Sequence, residues 1–279
     1  MNNTATIFDI HRCSFSDGPG IRTTIFFKGC NMHCAWCHNP EGQLQIPQVL
    51  FYEKRCVGCG KCKGICPNHF ETCELCGACA DICKAEARML CGKQYTVDEI
   101  MKECLKDKKF YETSNGGVTF SGGECMLNID FLEALVKRCK EQGLHTAIDT
   151  AGCVPYEAFE RIHPYVDLYL YDIKCINNDT HIKFTGVGNE LILENLKKLL
   201  AAKKDIIIRI PVIEGVNDSV SEMNEIRQFF ATYGKPKQVE LLPYHKMGCV
   251  KYEALSMETP VFQAPSDAKM AELRQIFQL

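Results

Sequence analysis

The sequence predicts an α/β fold: a partial, TIM-like (β/α)6 barrel interrupted by an inserted cysteine-dense module. Three observations predict it. Short apolar runs rich in β-branched and aromatic residues alternate with longer amphipathic stretches. Polar signatures close those runs one after another. Eleven of the nineteen cysteines fall between Cys30 and Cys83, and the cysteine-dense segment from Phe51 to about Gly92 is too poor in long apolar runs to bury a core unaided.

The strand-like runs, in order, are Arg22–Lys28, Val118–Ser121, His145–Asp149, Val166–Asp172, Ile206–Val212 and Val239–Leu242. Helical patterns lie between and after them at Thr96–Lys106, Ile129–Gln142, Leu191–Ala202, Ser221–Tyr233 and Ser266–Leu279. In Ile129–Gln142, for example, Phe131, Leu132, Leu135, Val136 and Cys139 fall on one face. Such alternation implies parallel strands joined by helical crossovers. Six units closing part-way round fit the number of runs; a doubly wound open sheet is the competing topology. In either fold functional groups gather at the carboxyl ends of strands. Gly29-Cys30, Ser121-Gly122-Gly123-Glu124, Asp149-Thr150, Asp172-Ile173-Lys174 and Pro243-Tyr244-His245 all stand at such ends, and Arg209 lies inside the fifth run.

Composition narrows the class. A formal net charge of -3 gives no reason to expect a nucleic acid or an anionic membrane as partner. No apolar run has the length of a membrane span. The N-terminal MNNTATIFDIHRC lacks a basic segment followed by an apolar one, so a cytoplasmic protein is expected. Cytosolic thiols stay reduced, which leaves metal binding as the reason for so many cysteines. The eight scattered ones (Cys13, Cys91, Cys104, Cys125, Cys139, Cys153, Cys175 and Cys249) read as small buried residues.

Cys30, Cys34 and Cys37 have the spacing C-x3-C-x2-C. Three thiolates on one short loop hold three corners of a cubane and leave the fourth iron without a protein ligand, open to substrate. A structural zinc loop completed by His33 or His38 is the alternative. Cys56, Cys59, Cys62 and Cys66-Pro67 form a bacterial ferredoxin run, and Cys73, Cys76, Cys79 and Cys83 repeat its spacing with Lys84 in place of the proline. In two-cluster ferredoxins the fourth cysteine of each run serves the other cluster. One [4Fe-4S] cluster is therefore expected on Cys56, Cys59, Cys62 and Cys83, the other on Cys73, Cys76, Cys79 and Cys66. Two zinc sites are the plainer alternative. A fully ligated cluster passes electrons or simply holds a small module together. The expected organisation is a core of residues 1–50 and 93–279 with a ferredoxin-like insertion at 51–92.

Taken together, Asp17-Gly18-Pro19-Gly20-Ile21-Arg22, the three-cysteine loop with Cys37-His38-Asn39-Pro40-Glu41, Ser121-Gly122-Gly123-Glu124, Tyr171-Asp172-Ile173-Lys174 and Leu242-Pro243-Tyr244-His245 resemble the radical S-adenosylmethionine (SAM) enzymes that activate glycyl radical enzymes. The resemblance covers nearly the whole chain and is to the subgroup with a two-cluster insertion. It implies that SAM chelates the open iron of the Cys30, Cys34 and Cys37 cluster. One electron then splits SAM, and the resulting 5'-deoxyadenosyl radical abstracts hydrogen from a glycine of a partner enzyme. It implies that Gly122, Gly123 and Glu124 bind the methionine end, that Lys174, Arg209 and His245 lie near ribose and carboxylate, and that Trp36 sits beside the adenine. It further implies a monovalent cation at Asp149, Thr150 and Asp172, Asp17 against the partner's glycine loop, a flavodoxin or ferredoxin as electron donor, and a monomer. Family members usually continue beyond the position of Leu279 into a short glycine-containing tail.

Overall fold

The computed structural model describes residues 4–278; residues 1–3 and 279, the ends of the expected core, lie outside the described residues. Ten strands occur among them: β1 (Thr4–Ser14), β2 (Arg22–Phe27), β3 (Gln48–Phe51), β4 (Arg88–Cys91), β5 (Lys93–Thr96), β6 (Gly117–Gly122), β7 (Thr146–Thr150), β8 (Leu168–Asp172), β9 (Ile206–Val212) and β10 (Gln238–Pro243). Eight form one sheet in the order β10-β9-β8-β7-β6-β2-β1-β5. From β2 to β10 every neighbour is parallel. Sequence order and spatial order agree along this parallel part, so it has no reversal point of the kind that defines a doubly wound sheet.

All six expected strands are present. β1 and β5, which the hydrophobic pattern did not reveal, extend the sheet by antiparallel pairing to β2 and to each other. β1 is bulged between His11 and Ser14, and there Cys13 takes φ 57. The bulge turns Cys13 out to solvent, which corrects its expected burial; Cys153 and Cys249 are half-buried, and the other five scattered cysteines are buried as expected.

Sequence signals set the helix ends. Thr96 caps the helix Val97–Leu105 in a reciprocal capping box with Glu99. Ser219 and Ser266 cap Val220–Tyr233 and Asp267–Phe277. The helix Ile129–Glu141 buries Phe131, Leu132, Leu135, Val136 and Cys139, the face its periodicity marks. Each such side chain taken fully out of water contributes about 1.5–3 kcal/mol.

β2 has both faces covered. Thr23 donates to Asp107 (2.8 Å) on the helix side. Thr24 donates to the Asp17 carboxylate (2.7 Å) and Arg22 donates to Pro19 O (3.2 Å), so the loop after β1 lies against the other side. β3 and β4 form a separate antiparallel ribbon. The cysteine runs lie between its two strands, and Leu50 and Cys91 of the ribbon pack with Ala254.

Candidate active site

The loop that carries Cys30, Cys34 and Cys37 leaves the carboxyl end of β2 and is pinned along its backbone. Cys30 N donates to Gln43 O (2.9 Å), His33 N to Thr185 O (2.8 Å) and Ala35 N to Phe184 O (2.8 Å). The Tyr252 hydroxyl donates to Cys37 O (3.0 Å). All three cysteines line one cavity of about 500 Å³. Burial pushes the thiols of Cys30 and Cys34 up to about 12 and raises that of Cys37 as well. Thiols in such surroundings ionise as ligands of a metal, a donor set that suits an iron–sulfur cluster. Among the described residues no three His, Cys, Asp or Glu side chains gather in single-ion geometry.

The same cavity is lined by Trp36, Gly122, Gly123, Asp149, Thr150, Asp172, Lys174, Arg209 and His245. Eleven candidate residues were expected at the SAM or cation site or beside the partner peptide; only Glu124 and Asp17 stay out of this wall. Asp17 accepts hydrogen bonds from Ser14 (2.6 Å) and Thr24 (2.7 Å), while its neighbour Ser16 lines the cavity. Glu124 lies one layer beneath, 1% exposed. Its carboxylate accepts from Thr150 Oγ1 (2.8 Å), Ala151 N (3.1 Å) and Met126 N (3.1 Å). Burial lifts this carboxyl to about 7 against those three donors.

Gly122 and Gly123 are required by the protein's own backbone. A Cβ on Gly123 would stand 2.3 Å from Gly29 O and 2.5 Å from Gly42 O; one on Gly122 would stand 2.2 Å from Phe27 N. The glycines let the end of β6 lie directly against the stem of the three-cysteine loop.

Charges alternate around the mouth. Asp149 accepts from Ser121 (2.6 Å) and faces Arg209 at 3.6 Å. Burial raises its carboxyl to about 6, Arg209 opposes that, and Asp172 on the adjacent strand adds to it. Lys174 pairs with Asp172. Burial disfavours the Lys174 ammonium, but Asp172, Cys34 and Asp149 outweigh it and hold its pKa above the ordinary value. Arg209 also reaches Glu240 (3.3 Å) and donates to Ser16 O. His245 stacks on His38 with ring centroids 3.9 Å apart. Trp36 is 4% exposed and packs edge-on against Phe262.

Ser16, Ser121 and His38 belong to this wall without having been singled out for it. Ser121 was legible, since it ends a strand in register with the strand of Asp149. The contribution of Ser16 depends on a loop path that no local pattern records.

The eight remaining candidate cysteines divide between two further cavities. Cys66, Cys73, Cys76 and Cys79 line one of about 340 Å³. Cys56, Cys59, Cys62 and Cys83 line the other, of about 230 Å³. Arg88 and Phe51 line both.

Residues 24–229 match the profile of the Radical SAM superfamily. The chain is 44% identical to the trans-4-hydroxy-L-proline dehydratase activating enzyme of Clostridioides difficile, over 98% of this chain and 95% of that protein. It is 42% identical to the choline trimethylamine-lyase activating enzyme of Oleidesulfovibrio alaskensis, over 97% and 94%. A crystallised domain of pyruvate-formate lyase-activating enzyme from Bacteroides vulgatus is 35% identical and superposes with a TM-score of 0.51, covering 58% of this chain and 93% of that one.

Proposed function

The chain belongs to the radical SAM superfamily, among its glycyl-radical-enzyme activating enzymes, and on that premise we propose how its cavity performs the activation. An enzyme of this family reductively cleaves SAM to a 5'-deoxyadenosyl radical, which takes a hydrogen atom from a glycine of the partner; the cluster and SAM supply that chemistry when bound. The protein's part is to hold, orient and keep out water.

In this reading Cys30, Cys34 and Cys37 hold a [4Fe-4S] cluster by three corners. Gly122 and Gly123 offer backbone to the methionine end of SAM. Lys174 and Arg209 supply positive charge for its carboxylate, His245 lies by the ribose and Trp36 closes the adenine side. Glu124 acts from beneath by fixing Thr150 and the Ala151 amide, a positioning role in place of direct contact with SAM. A monovalent cation at Asp149, Thr150 and Asp172 would draw on two carboxylates on the same face of β7 and β8, two register positions apart. Asp17 stands ready beneath the mouth for the partner's glycine loop. The single observation that carries the reading is that the three thiols and the strand-end polar groups open onto one cavity, of a size that suits a small-molecule cofactor.

A partial barrel is the finer architecture we infer. Arg209 on β9 bonds to Ser16 in the loop after β1, whose next residue, Asp17, accepts from Thr119 on β6, three strand positions from β9. In a flat sheet three spacings of about 4.8 Å would separate those strands by about 14 Å, further than one arginine side chain extends, so the contact favours a curled sheet. The two four-cysteine cavities support crossed ligation of two further [4Fe-4S] clusters in a ferredoxin-like insertion at 51–92, carried on the β3–β4 ribbon.

The test is to mix the anaerobically loaded protein with SAM, a low-potential reductant and, separately, the hydroxyproline dehydratase and choline lyase types of glycyl radical enzyme. A glycyl radical EPR signal on one of them is expected. SAM cleavage with no protein radical on any glycyl radical enzyme would contradict the activase reading.

A further inference from the structure

We propose that an acidic one-electron carrier protein docks on the basic face around Lys61 and Lys63. That face covers the cavity lined by Cys56, Cys59, Cys62 and Cys83, at the end of the insertion remote from the three-cysteine loop. The inference rests on the two-cluster reading of the insertion and goes beyond it by giving the two ends different work.

The two four-cysteine cavities are joined to the rest of the protein unequally. Ala254, Leu255 and Ser256 line the cavity of Cys66, Cys73, Cys76 and Cys79. They follow directly from residues that grip the three-cysteine loop. The Tyr252 hydroxyl bonds to Cys37 O at 3.0 Å, and Lys251 bonds to Asn39 (2.8 Å) and pairs with Glu41 (2.5 Å). The short helix Cys249–Ala254 also packs on β3 and on the turn Pro40–Gly42. One continuous piece of protein thus connects the active-site loop with that cavity. The Cys56 cavity has a wall made entirely of residues 51–88. It is the outer end.

That outer end is open and positively charged. Val57, in its wall, is 75% exposed. Side-chain carbons added to Gly58, Gly60 or Gly64 would meet nothing within 4 Å. Lys61 and Lys63 project from the exposed helix Lys61–Ile65. The wall of this cavity carries Lys61, Lys84 and Arg88 and no carboxylate, with Lys63 two residues further along the same helix; Lys54 is turned the other way, towards Glu253 at 3.9 Å. The wall of the other cavity carries Glu74 beside Arg88, with Glu71 close by in sequence. A small module so polarised attracts an acidic protein to one end and turns it away from the other. A redox site at a docking face must accept its electron from a protein that approaches it closely, and only the outer end combines exposure with a complementary charge. The carrier gives up one electron to the Cys56 end, and no bond forms or breaks.

The experiment compares the loaded protein with the charge reversal Lys61→Glu/Lys63→Glu at matched iron content. Calorimetric titration with an oxidised acidic flavodoxin, which is redox-inert towards the protein, reads docking alone. The expected result is a Kd raised about tenfold or more at low salt, with the salt dependence of the unaltered protein flattened. Reduction by flavodoxin hydroquinone should slow in step, while reduction by the cationic methyl viologen radical is not slowed. Should the double variant lose iron, Lys63→Glu alone gives the same sign at smaller amplitude. An unchanged Kd would overturn the proposal, and so would Glu71→Lys/Glu74→Lys weakening the flavodoxin as much as the first pair. Failure of the unaltered protein to cleave SAM with reduced methyl viologen would count against the activase reading and leave the docking result standing.

Discussion

Arg209, midway along β9, hydrogen-bonds the carbonyl oxygen of Ser16 in the loop after β1. The same guanidinium faces Asp149 at 3.6 Å and Glu240 at 3.3 Å. One side chain therefore ties the far part of the parallel sheet to its antiparallel edge and answers a carboxylate at the cavity mouth. Replacing Arg209 by Met leaves Asp149 buried without its cation and Ser16 O without its donor. A loss of about 2–4 kcal/mol is expected in urea unfolding, with Arg209→Lys intermediate because an ammonium cannot span all three partners.

A pH effect follows from Glu124. Its folded-state pKa, about 7, lies above the ordinary 4.5. The folded protein then binds the proton more tightly than the unfolded chain does, so stability falls as pH rises from about 4.5 to about 7 and levels off above. The size is on the order of 3 kcal/mol, at about 1.4 kcal/mol per pKa unit. Asp149, raised to about 6, acts in the same direction. In urea unfolding at pH 6 and pH 8, the unaltered protein should lose more stability over that interval than Glu124→Gln. Equal losses would mean the Glu124 carboxyl does not titrate there.

Gly123 supplies a steric test. Its substitution by Ala drives a methyl group into Gly29 O and Gly42 O, two backbone atoms at the stem of the three-cysteine loop. The expected outcome is a folded protein by circular dichroism with the SAM-responsive cluster depleted and the insertion's iron retained. Wild-type loading would mean that the loop and β6 do not need this close approach.

How much of this was legible varied with the physics of each element. Five of the six parallel strands are buried on both faces or nearly so, and their apolar runs announced them; β10 has one buried residue and was legible only as the short run Val239–Leu242. β1 buries Ala5, Thr6 and Ile7 in succession, is mostly exposed after that and ends in a bulge, and β5 is four residues of mostly exposed side chains; neither carries a strong pattern. The cysteine loop, the glycines and the strand-end acids were legible because their chemistry is local. The burial of Glu124 beneath Thr150 and the reach of Arg209 to Ser16 were not, because both arise from the register and curl of the sheet. That Gly122 and Gly123 also let β6 lie against the backbone of the cysteine-loop stem was not legible, because it depends on the packing of two chain segments.

Single cysteine substitutions separate the two kinds of cluster. Cys34→Ala should abolish SAM cleavage while iron and sulfide analysis still finds the insertion loaded. Cys59→Ala should spare SAM binding and slow turnover. Cys34→Ala cleaving SAM at the unaltered rate would mean the reacting iron is elsewhere.

The most direct measurement is anaerobic EPR of the reduced protein before and after SAM is added. A cubane held at three corners by Cys30, Cys34 and Cys37, with its fourth iron bare, predicts that one cluster signal shifts on addition and that Cys34→Ala removes this responsive signal. Spectra identical with and without SAM would contradict it.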